Sequence, residues 1–205
     1  MKRTINLKVT NNQLEEICNN ISKMNIDCTI ESNVHSTKNE IINTLKIKLY
    51  GHDKAKIIED YNNIMNMANR INKKYQKNRL GFYEYHLNDL KYPVNKELII
   101  EVIDLLNVEY SYDNKSNILK CTLNLEELHK ITKEVYELYK EVEYTNIGSK
   151  PVRNIITAIC YVLDGDLNEI IEECIAHQYL REGEEENKII LNKDISLIKN
   201  HFIDK

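Results

Sequence analysis

The sequence predicts an α+β fold assembled from three small modules, and three observations carry that reading. Apolar residues alternate with period two in some stretches and recur with the helical period in others, in the order βαββα over the first 75 or so positions. The same two periods then give αββα and, at the end, a mostly helical string. Among only five Gly and two Pro in 205 residues, Gly81, Pro93, Gly148 and Pro151 fall between these strings, where breaks belong. The modules are residues 1–80, 81–145 and 146–205.

In the first module Ile5, Leu7 and Val9 alternate with Asn6 and Lys8, the pattern of a half-buried strand. Asn11 offers a cap to a helix carrying Leu14, Ile17, Cys18 and Ile21. A second strand is expected over 27–35 with Cys28, Ile30 and Val34 inward, and a third through Leu45, Ile47 and Leu49. Gly51 ends it, and Asp53 caps a long helix with Ile57, Ile64, Ala68, Ile71 and Tyr75 on one stripe. This βαββα order belongs to KH-like domains and to a ferredoxin-like fold lacking a strand.

The second module opens on GFYEYHLNDL, too aromatic for an ordinary linker, and Pro93 closes that segment. A helix with Leu98, Ile99, Val102 and Leu106 follows, then a hairpin around the polar turn 113–117, then a helix through Leu128, Ile131, Val135 and Leu138. In the third module Pro151 suits a first helical turn, and Asp166 caps a second helix. A charged stretch over 181–188 precedes Ile189 to Leu191, and Asp194 starts a last helix. Helix, turn, helix, possible wing and helix is a winged-helix-like order.

Composition narrows the class. The chain is 42% hydrophobic and 29% charged, a globular balance. No apolar run approaches the roughly 20 residues of a membrane span, and no apolar core follows the basic start, so a cytoplasmic protein is expected. Five cysteines, none in a CxxC pair, fit neither a disulfide framework nor a zinc knuckle. The net charge of −4 hides an asymmetry: residues 1–80 hold 14 basic and 8 acidic groups, 81–145 hold 7 and 13, and 146–205 hold 7 and 11. A basic first third marks a surface for an anionic partner or attraction between modules.

The strongest local feature runs from Arg70 to His86. Arg70, Lys73, Lys74, Lys77 and Arg79 precede Phe82, Tyr83 and Tyr85, which pairs phosphate attraction with base stacking. The plain alternative is that the basic groups offset a helix dipole while the aromatics anchor a loop. The six histidines, His35, His52, His86, His129, His177 and His201, have no HxH, HxxxH or HExxH spacing. His35 and His52 meet only if they occupy neighbouring sheet ends. The acidic run Glu182, Glu184, Glu185 and Glu186 reads as solvated loop, and Asp164–Gly165–Asp166 as a turn. With no phosphate-cradling Gly-rich loop, no GxSxG and no dinucleotide fingerprint, no cofactor, metal site or catalytic set is expected from local motifs.

The segment Gly81, Phe82, Tyr83, Glu84, Tyr85, the helix that follows it, the hairpin, and KPVRNIITAICYVLDGDLNEIIEECI together resemble an uncharacterised family of archaeal proteins known as a domain of unknown function. The resemblance covers nearly the whole chain. It implies an archaeal cytoplasmic α+β protein and carries no activity with it.

The leading expectation is a non-catalytic nucleic-acid-binding protein, for RNA before DNA, with Lys73, Lys74, Lys77 and Arg79 on phosphates and Phe82, Tyr83 or Tyr85 on bases. Two other classes stay open: a protein-interaction module, or a homodimer, acting through the helical C-terminal part, and a small-molecule enzyme or ligand-binding protein with a site near Tyr83, Tyr85 and His86.

Overall fold

A computed structural model of the chain describes residues 1–36, 41–183 and 188–203. The run Glu184, Glu185 and Glu186 and the side chain of His35 lie outside the described part, and with them the pairing of His35 with His52. The described residues form a mixed α+β protein that divides into two compact units, Met1–Glu84 and Tyr85–Lys205.

The first unit runs β1 (Lys2–Val9), α1 (Asn11–Lys23), β2 (Cys28–Ser36), β3 (Ile41–Tyr50) and α2 (Lys54–Tyr75). Its sheet has the order β1-β3-β2, with β3 antiparallel to both neighbours and Ile47 opposite Ile5 and Ile30. The third strand thus lies between the two that α1 connects, a split βαβ arrangement. Thr10 and Gln13 close a capping box on α1, and Asp53 caps α2. Ile17 and Ile21 of α1 and Ile64, Met67, Ala68 and Ile71 of α2 pack on Ile5, Val9, Leu45, Ile47 and Leu49. Each such side chain contributes roughly 1.5–3 kcal/mol by leaving water. Buried Gln13 Nε2 donates to Asn72 Oδ1 at 3.1 Å, so even the polar member of this layer is partnered.

One expectation for β2 fails. Cys28 packs against this core, but Ile30 and Val34 are 38% and 67% exposed although their register places them on the helix side. β2 is the edge strand on this side of the sheet, so inward register along it does not mean burial.

β4 (Tyr83–His86) straddles the boundary, and the second unit continues with α3 (Lys96–Leu105), β5 (Tyr110–Asp113), β6 (Ile118–Cys121), α4 (Leu125–Glu143), α5 (Lys150–Leu163), α6 (Leu167–Ala176), β7 (Leu180–Glu182), β8 (Ile189–Leu191) and α7 (Ile195–Ile203). The aromatic opening is thus a short strand in a sheet of order β4-β6-β5 rather than a packing loop. The period-two placement of Tyr83 and Tyr85 was its signal.

α5 is the axis of this unit. Val152, Ile155, Ile156, Ala158, Ile159 and Cys160 are all buried, against Leu98 and Val102 of α3, Val135 of α4, Cys174 of α6 and Ile198 and Phe202 of α7. One core therefore spans what the sequence separated as 81–145 and 146–205. Asn95, the cap of α3, also donates Nδ2 to Asn154 Oδ1 of α5 at 3.1 Å, a buried polar tie between the two. Three helices end in left-handed residues that are not glycine: Asn107, Asp164 and Gln178, with φ of 53°, 49° and 57°. In each case the amide one residue further on returns to the last turn, as Tyr179 N does to Cys174 O at 2.9 Å. Asn and Asp tolerate that geometry; Gln does so at a cost. Among the described residues no helix is long and apolar enough to cross a membrane.

Candidate nucleic-acid interface

The end of α2 separates the basic residues the sequence grouped. Lys74 Nζ donates to both carboxylate oxygens of Glu16, at 2.9 and 3.1 Å, and Tyr75 adds its hydroxyl to Glu16 at 2.9 Å. Lys74 thereby ties α2 to α1, and burial beside Glu16 pushes the Tyr75 phenol well above its usual range. Lys73 donates to Glu84 at 2.9 Å. Lys77 stands 5.5 Å from the Tyr83 ring centre, and Arg70, Lys77 and Arg79 are exposed.

The tight turn after α2 explains Gly81 and the position of Arg79. Asn78 Oδ1 accepts from Leu80 N and Phe82 N, and Asn78 N donates to Phe82 O at 2.8 Å. Gly81 closes the turn at φ +86°, a region glycine enters without strain. Arg79 and Leu80 stand exposed at its tip. Of the three aromatics proposed to stack, Phe82 and Tyr83 are half-buried, but Tyr85 is 2% exposed and donates its hydroxyl to Leu123 O at 2.9 Å. Tyr85 is a core residue, and no base reaches its ring in this fold.

A second basic surface lies on the sheet itself. Both helices of the first unit pack on one face, the face of Ile5, Leu45 and Ile47. The opposite face carries Lys2, Thr4, Asn6 and Lys8 from β1, Thr44, Lys46, Lys48 and Tyr50 from β3, and Thr29, Glu31 and Asn33 from β2, all exposed or half-buried. Among the described residues, four lysines thus share it with one carboxylate. Glu31 is hydrogen-bonded by Lys48, and that bond, with the positive charges of Lys48, Lys46 and Lys2, holds its carboxyl below the usual range. The Lys2 ammonium stands 5.9 Å from the Tyr50 ring centre, and the Tyr50 hydroxyl is 3.3 Å from Thr29 Oγ1. Arg3, one residue along, is on the helix side, its guanidinium 3.5 Å from the Tyr61 ring centre. Sequence reasoning missed this face because alternation assigns residues to two faces without saying which one helices cover.

In the second unit the fold assembles Glu173, His177 and His201, one donor atom from each lying within 4.8 Å of the others. His201 Nε2 is 2.7 Å from Glu173 Oε1, and the two imidazole centres are 4.4 Å apart. Two clefts are also present, one of about 290 Å³ between β1, α1 and α2 and one of about 370 Å³ between α3, α4 and the start of α5. Neither is lined by Tyr83, Tyr85 or His86.

The comparisons with known proteins agree with the likeness read from the sequence. The model of an uncharacterised protein family conserved in archaea, DUF2067, matches residues 7–200. An uncharacterised protein of Methanococcus vannielii is 38% identical over 203 residues, covering 99% of this chain and 98% of its own. The uncharacterised protein MJ0388 of Methanocaldococcus jannaschii is 35% identical over 205 residues, covering 100% and 94%. No solved structure matches the chain. With its family model spanning both units and two relatives aligned almost end to end, the chain belongs to this archaeal DUF2067 family.

Proposed function

We propose that this protein binds single-stranded nucleic acid, RNA in preference to DNA, in the archaeal cytoplasm, through the open face of its first sheet with the basic end of α2 as an extension. The observation that carries the reading is the sheet face turned away from α1 and α2: Lys2, Lys8, Lys46 and Lys48 share it with Tyr50. Lysines spread over neighbouring strands follow a phosphate backbone, and a ring at the sheet surface stacks on a base whatever its identity. The acidic second unit, with 14 basic against 23 acidic side chains, repels the same ligand and leaves the first unit as the binding surface.

The test is titration of the full chain with labelled RNA and with single-stranded DNA at several salt concentrations. Neutralising three lysines, Lys8→Gln, Lys46→Gln and Lys48→Gln, is expected to weaken RNA binding at least tenfold at low salt. It should also lower the slope of log affinity against log salt by about 2. A second variant, Lys73→Glu with Lys77→Glu, reports the share of the helix end. Unchanged affinity in the sheet variant would overturn the assignment of the open face.

A further inference from the structure

Away from the basic unit, we propose that Glu173, His177 and His201 form a binding site for a divalent first-row transition cation of the zinc type. Two imidazoles and one carboxylate are the donor set such cations take, and three protein donors leave a position open for water or a substrate. The arrangement comes from two helices. Glu173 and His177, four residues apart at the end of α6, fall on one face of the helix, and α7 delivers His201 to the same spot.

The backbone holds these groups in place. The left-handed Gln178 turns the chain directly after His177, and Tyr179 N and Gln178 N cap the end of α6. Asn192 N and Lys193 N both donate to Tyr179 O, at 2.9 and 3.3 Å, clasping this turn to the segment that leads into α7.

The partners of His201 match those of a ligating histidine. Its Nε2 faces Glu173, and its Nδ1 is 3.4 Å from the Tyr179 hydroxyl, the kind of outer contact that fixes tautomer and ring orientation. A hydrogen bond between Glu173 and His201 would account for those two alone. It leaves His177 as a third donor beside that pair, its ring centre 4.4 Å from that of His201. With bonds of about 2.0–2.2 Å the donors around one ion stand about 3.3 Å apart, so side-chain rotation on the order of 1 Å from the 4.8 Å envelope completes the site. Lys193, the nearby cation, directs its ammonium to His177 O at 3.1 Å, 5.2 Å from the Tyr179 ring centre. His177 is exposed, so the open position faces solvent.

The full chain, stripped with a chelator, is titrated with Zn²⁺ by calorimetry and with Co²⁺ by visible absorption. The expected result is one equivalent bound, with a Co²⁺ spectrum of low coordination number and no thiolate charge-transfer band. His177→Ala, at an exposed position with little to unfold, should lose at least tenfold in affinity while circular dichroism stays unchanged; Tyr179→Phe should lose roughly tenfold and keep the spectrum. Absence of uptake would overturn the proposal. So would uptake that His177→Ala and Glu173→Gln leave intact, or one that shows the thiolate band of Cys18 or Cys28.

Discussion

The two units of this chain solve the problem of burying apolar surface in opposite ways. The first covers one face of a three-stranded sheet with two helices and leaves the other face to solvent, with its lysines there. The second wraps helices around α5 until its apolar residues face inward on almost every side. A one-sided layer needs less core but keeps a flat, chemically free surface, whereas an enclosed core gives rigidity and offers only helix ends and clefts for function. The contrast accounts for why a large basic platform sits in one unit and a small, precisely held donor cluster in the other.

The largest effect that tests this contrast is in the cores. Ile155→Ala in α5 and Leu45→Ala in β3, both fully buried, should each cost about 2–5 kcal/mol, read by urea denaturation. Val34→Ser on the edge strand β2 should stay within about 0.5 kcal/mol despite its inward register. A large loss at Val34 would mean the helix layer covers more of the sheet than described.

Next comes pH. Burial raises the Cys160 thiol from 9.0 to about 12 and the Cys121 thiol to about 11, so the folded chain holds protons that the unfolded chain releases. Stability from this source is whole below about pH 9 and is lost as pH rises through the folded values. Melting temperature should therefore fall steeply on the alkaline side, and Cys160→Ala should make that decline shallower. A decline of equal slope in Cys160→Ala would place the alkaline sensitivity elsewhere.

Smaller effects separate structure from function at the end of α2. Glu16→Gln removes the negative charge shared by Lys74 and Tyr75 and should cost about 1 kcal/mol, less at high salt, without weakening RNA binding. The smallest is Gln178→Gly, which relieves a left-handed residue and should stabilise the chain by about 0.5–1 kcal/mol.

Most elements of this fold are legible in the sequence because their periods are clean. The strand of Ile5, Leu7 and Val9, the stripes of α1 and α2, the caps Asp53 and Asp166 and the Pro151 start of α5 all sit where local chemistry puts them. What local chemistry cannot contain is partnership across distance. β4 has four residues, too few to outweigh its aromatic look, and acquires strand character from β6. The shared core of the second unit depends on α5 meeting helices on both sides of it in the chain. The face of β3 that carries Lys46, Lys48 and Tyr50 is visible as alternation, but its openness depends on where α1 and α2 pack. Lys74 reads as a phosphate ligand until Glu16, 58 positions away, is found against it. Likewise His177 and His201 look isolated by spacing, and only the return of α7 onto α6 unites them with Glu173.

The sheet face turned away from α1 and α2 is the proposed binding surface, and photo-crosslinking tests it most directly. The full chain is irradiated with a uniform single-stranded RNA at low salt, and the linked peptides are identified by mass spectrometry. Crosslinks at Tyr50 and in the peptides of β1 and β3, lost as salt rises, are the result predicted. Crosslinks confined to residues 85–205, or none even at low salt, would contradict it.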